Sequence, residues 1–200
     1  LGHSTKIIKI DSIGDQVLDK PLYELGVTGV FTKSLDMALI NGDIDIAVHS
    51  LKDVPTKLPE EVIQAAVLKR GNYNDVLILK KDENFFENEI ATIATGSLRR
   101  KAQWLHRYPK HNITGLRGNV NTRLQKLKDN PWDGAIFALA GLSRIKLLPN
   151  KDRHIKLDWM LPAPAQGAIM IAALKKNNNA VDACKVLNDE DEAIFEEEKG

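Results

Sequence analysis

The chain has 200 residues, 43% of them hydrophobic and 28% charged, proportions ordinary for a soluble globular fold with enough length to bury a core. Its formal net charge is only +1, which excludes a whole-surface attraction to nucleic acid or anionic lipid and makes any important positive charge local. One cysteine excludes an internal disulfide, and five histidines without Cys/His spacing give no metal site.

No apolar run approaches the roughly 20 residues needed to cross a bilayer, and no basic-then-apolar leader opens the chain. A cytoplasmic protein with no membrane or nucleic-acid partner is the expectation. In chain order, short β-branched runs predict strands at Lys6–Asp11, Ile44–His49, Val62–Leu68, Val76–Lys80, Ile90–Thr95, Asn112–Leu116, Gly134–Leu139 and Ile169–Leu174. Between them, helical spacing links Phe31, Leu35, Ala38 and Leu39, then Leu98, Ala102 and Leu105, then Leu116, Val120, Leu124 and Leu127. Strands alternating with helices predict an α/β architecture with mainly parallel sheets. The acidic end, Asp189 to Glu192 and Glu196 to Glu198, reads either as a solvated helix face or as a segment whose partner domain lies outside the chain.

Two stretches read as crossings between domains: Lys69 to Asn74, polar and glycine-containing, and Leu161 to Gly167, stiffened by Pro162 and Pro164. Periodicity alone leaves open whether they join two lobes or are loops within one domain.

Four clusters carry chemistry. The first, Ala47 to Pro55, ends a strand and then gathers His49, Ser50, Lys52 and Asp53 before a proline. In open α/β sheets, ligands sit beyond the carboxyl ends of strands. Asp53 beside Lys52 is suited to stabilise a cation or move a proton, or is simply half of a solvated surface pair. The second runs from Thr95 through Gly96 and Ser97, an N-cap, into a helix that opens with Arg99 and Arg100. Cations in a first helical turn oppose the helix dipole, and an external anion would resolve the conflict.

The third cluster repeats the design, with Arg117 and Arg123 flanking the helix that starts after Gly118. The fourth places Arg144 after another apolar strand. Three strand ends delivering arginines predict one site for a ligand with several anionic groups, because guanidinium forks grip carboxylate or phosphate in bidentate fashion. Polycarboxylate and phosphorylated ligands both fit. Nucleic acid fits poorly, since no aromatics interleave with the arginines. Cys184, in a helix-like stretch, reads as a buried, inert thiol.

These motifs, taken in order from Ala47 to Pro55, Thr95 to Arg100, Leu116 to Arg123, Ala140 to Arg144 and Leu161 to Ala168, resemble the porphobilinogen deaminase (hydroxymethylbilane synthase) family. The resemblance implies two lobes like those of periplasmic binding proteins, with a cleft between them. Residues 1–69 plus 167–188 would form the first, 73–161 the second, 70–72 and 162–166 the hinge, and 189–200 the start of a third domain. It implies a monomeric transferase of tetrapyrrole (haem, porphyrin) biosynthesis. Such an enzyme condenses four porphobilinogen molecules head to tail on a dipyrromethane cofactor to give hydroxymethylbilane.

By that resemblance Asp53 is catalytic, and Lys52, Thr95, Ser97, Arg99, Arg100, Arg117 and Arg123 bind the cofactor. Phe31, Ser50, Arg144 and Gln166 contact substrate. The cysteine that anchors the cofactor is expected in the third domain and is not Cys184, so the chain alone is expected to be inactive. Thr28 stands where the family carries a lysine, Ala165 where it has a glycine, and Gly96 where a hydroxyl residue is common. A non-enzymatic two-lobed receptor for a small anion is the rival reading, which the architecture alone would equally allow.

Overall fold

The structure is a computed structural model and describes residues 2–11, 32–80 and 90–191. In chain order its elements are α1 (Lys33–Asn41), β1 (Ile46–Ser50), a 3₁₀ turn (Leu51–Asp53), β2 (Val62–Leu68), β3 (Asp75–Leu79), β4 (Thr92–Ala94) and α2 (Leu98–Arg107). There follow β5 (Asn112–Thr114), α3 (Val120–Asp129), β6 (Gly134–Ala138), α4 (Leu139–Arg144), β7 (His154–Lys156), β8 (Ile169–Leu174) and α5 (Asn178–Lys185). Among the described residues no helix is long and apolar enough to cross a membrane. The described residues divide into two compact units, with the chain passing between them at Gly71/Asn72 and Gly167/Ala168.

The first unit holds a three-stranded sheet ordered β1-β8-β2. Its central strand is the continuous apolar run IMIAAL, as expected where both faces are covered. Alternation sends Met170, Ala172 and Leu174 into a core with Leu39 of α1, Ala47 and Val67, and sends Ile171 to the other face against Ala66 and Cys184 of α5. Helix α1 stops at Gly42, whose φ of 79° lets its N–H reach back to the carbonyls of Ala38 and Leu39. Burial pushes the Cys184 thiol above its ordinary pKa, as an inert core thiol requires.

The second unit is a five-stranded sheet ordered β5-β4-β6-β3-β7 with a core on each face. Strand β3 shows the division clearly. Val76 and Ile78 pack with Leu116, Leu127 and Leu142, while Leu77 and Leu79 pack with Ile93, Trp104 and Met160. Helices α3 and α4 therefore cover one face through Leu127 and Leu142, and α2 covers the other through Trp104.

The α/β architecture is as expected, but the pairing is mixed rather than mainly parallel. Among the described residues only β4–β5 and β4–β6 are parallel; β1–β8, β2–β8, β3–β6 and β3–β7 are antiparallel. Strands β1 and β2 do run the same way, yet β8 returns from the far end of the chain and inserts between them. Helix–strand alternation reports only consecutive elements, so it misses that insertion. Two further differences concern strands. Residues 6–11 form no strand and Ile7 is 93% exposed, because β-branched alternation alone cannot hold a strand without a hydrogen-bonding neighbour. Strand β7 is too short and polar to have been read from sequence.

Candidate functional site

Strands β5, β4 and β6 are parallel neighbours, so their carboxyl ends share one edge of the second unit's sheet, and each feeds a helix. After β4, the Thr95 N–H donates to the Thr114 carbonyl (2.9 Å), and the buried Thr95 hydroxyl accepts from the Ser97 N–H (3.2 Å). Ser97 caps α2, accepting from the Arg100 N–H at 3.4 Å. Gly96 lies in close approach to the end of β5. A Cβ there would lie 2.6 Å from the Leu116 carbonyl oxygen and 3.8 Å from Arg117 Cδ, so the Arg117 stem lies against this same turn.

After β5, Asn119 caps α3 by accepting from the Thr122 N–H (2.9 Å), and Arg123 folds back so that its Nε donates to the Gly118 carbonyl (2.6 Å). Gly118 has a φ of 106°, a conformation that suits glycine. After β6, exposed Arg144 ends α4, and its guanidinium donates to the Gly167 carbonyl. Arg99 and Arg100 thus stand in the first turn of α2, Arg117 and Arg123 on either side of the start of α3, and Arg144 at the end of α4, the three helices that follow these parallel strands.

Asp75 stands at the sheet edge where these strands end and was not anticipated. It opens β3 opposite Ala138, the last residue of β6, and its side chain is completely buried. Its Oδ1 accepts from Arg100 Nη2 (2.7 Å) and from Gln166 Nε2 (2.8 Å); its Oδ2 accepts from Arg99 Nη2 (2.7 Å). Gln166 also donates to the Tyr73 carbonyl (2.7 Å), and Arg99 to the Leu161 carbonyl. Burial pushes the Asp75 carboxyl up, but the charges and hydrogen bonds of Arg100 and Arg99 outweigh it and hold its pKa below the usual range. The anion that resolves the two-arginine conflict at the start of α2 is therefore, in this structure, a carboxylate of the chain itself. The signal that could have found it is a charged residue directly preceding the unbroken apolar run VLIL, which the structure buries at every position.

Arg99 and Arg100 differ in what they leave available. Arg100 is 7% exposed, donates to the Ile136 carbonyl as well (3.2 Å), and has a buried Nε with no hydrogen-bond partner among the described residues. Arg99 is 24% exposed and keeps donors beyond the two that the chain itself engages.

In the first unit, β1 runs into the 3₁₀ turn that carries Lys52, half-buried, and Asp53, exposed; Ser50 ends the strand, exposed. The Leu51 N–H donates to the Ala168 carbonyl (3.2 Å), tying this turn to the start of β8. Alternation buries His49 beneath it. Burial pushes the His49 pKa down, partly offset by the charges of Asp36 and Asp53. Asp36, buried on α1, is pushed up by burial against the pull of Thr32 and His49, and its Oδ1 has no hydrogen-bond partner among the described residues. This electrostatic influence of Asp36 on His49 was not read from the sequence, because it acts between a strand and a helix thirteen residues earlier. Phe31, and Gly26 to Val30 with Thr28, lie outside the described residues.

The donor chemistry of the second unit suits a ligand bearing several carboxylates: arginines follow three successive strand ends, and a buried Arg100 donor has no hydrogen-bond partner among the described residues. A family model described as porphobilinogen deaminase, dipyromethane cofactor binding domain, matches residues 1–182. A probable porphobilinogen deaminase of Methanocaldococcus jannaschii is 44% identical over 190 residues, 95% of this chain and 64% of that protein. The chloroplastic porphobilinogen deaminase of Pisum sativum is 45% identical over 93% of this chain and 51% of its own length. That of Syntrophotalea carbinolica is 38% identical over 96% and 62%. The chain thus spans between half and two-thirds of these curated relatives. With these matches covering nearly all of its length, the chain belongs to the porphobilinogen deaminase family.

Proposed function

We propose that the protein to which this chain belongs is a hydroxymethylbilane synthase, a transferase that couples four porphobilinogen molecules head to tail on a dipyrromethane primer. The observation that carries this reading is that the connections and helices following three parallel strands carry Arg99, Arg100, Arg117, Arg123 and Arg144 in a chain of this family. Each pyrrole ring brings an acetate and a propionate, so the growing product is a polyanion that many guanidinium groups can share.

When bound, the dipyrromethane supplies the terminal ring to which each new ring is joined. The chain's residues do the rest. Arg117, Arg123 and the outer donors of Arg99 grip carboxylates and orient the rings, and Arg144 and Gln166 meet the incoming substrate. Asp53, exposed at a strand end, faces the reacting ring. As the bond from the aminomethyl carbon to nitrogen breaks and ammonia leaves, positive charge spreads over the substrate ring, and the Asp53 carboxylate opposes it. Lys52, Ser50, Ser97, Thr95 and Phe31 complete the contacts. The passages at 70–72 and 162–166 act as hinges. A third domain following residue 188 supplies the cysteine that anchors the cofactor, and the whole works as a cytoplasmic monomer feeding haem and related tetrapyrroles.

The test is intact mass spectrometry of the complete parent protein before and after adding porphobilinogen. A resting mass heavier by one dipyrromethane, followed by stepwise pyrrole additions, is the expected result. Asp53→Ala in the same protein should keep the resting adduct and lose turnover. A bare mass that never changes in folded protein refutes the reading in favour of a binding protein for small anions.

A further inference from the structure

We propose that Asp75 is the positioning residue of the arginine site: its carboxylate sets Arg99, Arg100 and Gln166 where they meet the carboxylates of the bound pyrroles. The inference rests on the function proposed above and assigns a role to a residue that function did not use. Three donors converge on the two oxygens of Asp75 at 2.7, 2.7 and 2.8 Å. Asp75 cannot swing to follow them, because its main chain is paired with Ala138 and its carbonyl accepts from the Leu157 N–H at 2.9 Å.

Stability alone explains this cluster poorly. Replacing a buried ion pair by apolar groups is often neutral or stabilising, so the pair by itself is weak evidence of a stabilising role. Geometry is what two adjacent arginines need, since they repel each other and each has several rotamers. One fixed carboxylate between them converts two mobile cations into a fork of defined spacing, and it couples that fork to Gln166 through the shared Oδ1. The arrangement supplies the second layer of support on which a binding site's precision depends. The buried Arg100 Nε, with no hydrogen-bond partner among the described residues, is a donor held in place by the same fork.

The experiment compares the complete parent protein with its Asp75→Asn and Asp75→Glu variants by intact mass, steady-state kinetics with porphobilinogen, and thermal unfolding. Asp75→Asn keeps the shape and removes the charge; Asp75→Glu keeps the charge and moves it by one methylene. The expected result is a folded Asp75→Glu protein with reduced dipyrromethane loading and a KM for porphobilinogen raised at least ten-fold, kcat changing less. Asp75→Asn should be worse in both. A folded variant of either kind with full loading and a KM within two-fold of the parent overturns the proposal. Loss of the fold in both variants also overturns it, making Asp75 a residue of the fold alone. A parent protein that gains no pyrrole mass defeats the functional reading itself, an outcome visible before either variant is compared.

Discussion

Arg100 and Asp75 form a closed ion pair beneath the start of α2, with Nη2 of one 2.7 Å from Oδ1 of the other and side-chain exposures of 7% and 0%. Such a pair is far costlier to break than to lack, because the surviving charge stays buried.

Arg100→Met should accordingly destabilise the second unit by about 3–5 kcal/mol, the range typical of removing one partner of a buried pair. Arg99, still bonded to Oδ2, limits the loss toward the lower end of that range. Urea denaturation of the chain, followed by tryptophan fluorescence, checks it: Trp104 is buried in the same unit and reports its unfolding. A midpoint unchanged from the parent would mean that Asp75 relaxes to solvent.

Acid should act through the same carboxylate. The Asp75 pKa is lowered in the folded state, below the roughly 3.9 of an unfolded chain. Its contribution to stability is therefore complete above about pH 4 and is lost as pH falls from there through the folded value. Asp36 carries the opposite sign, since burial raises its pKa and its stabilising effect belongs to its protonated form. The measurement is the thermal midpoint from pH 6 to pH 2 in the parent and in Asp75→Asn. The difference between the two curves should shrink as pH falls below 4. A difference constant across that window would mean that the arginines do not favour the charged form of Asp75.

Gly96→Ala should cost about 1–3 kcal/mol, the usual penalty for forcing atoms into a filled site. The obstacle is a backbone oxygen, that of Leu116 at 2.6 Å from the new Cβ, and a backbone cannot rotate away as a side-chain tip can. Relief requires the end of β5 to move, which carries Arg117 with it. Thermal unfolding reads the cost, and a stability equal to the parent's would show that the turn between β4 and α2 yields freely.

Much of the fold was legible because its signals are local. Val62–Leu68 and Ile169–Leu174 were read to the residue from largely apolar runs, and the cap at Ser97 lies at the boundary that the helical stripe from Leu98 implies. The strand-to-helix connections that carry Arg99, Arg100 and Arg117 were legible too, since a strand leading into a helix fixes where the connecting residues lie. What stayed hidden is non-local. Asp75 meets Arg100 across twenty-five residues and Gln166 across ninety-one, and no spacing rule links them. Its position one residue before Val76 made it look like the end of a loop. Strand β8 was visible as a strand but not as the middle strand of a sheet formed mostly from the first third of the chain.

That middle strand also sets the order in which the protein can be completed during synthesis. The described residues of the second unit follow one another from 72 to 167, so every partner in its sheet has emerged before residue 168 is made. The first unit has to wait: Leu68 pairs with Ile169 and Ile46 with Ala173, and until then β1 and β2 share no hydrogen-bonding neighbour. Closing a loop of that length carries an entropic cost and slows formation of the contacts that depend on it. A nascent chain stalled anywhere in the second unit would leave two strand edges of the first unit open, the interval in which a chaperone or a second nascent chain has most to bind.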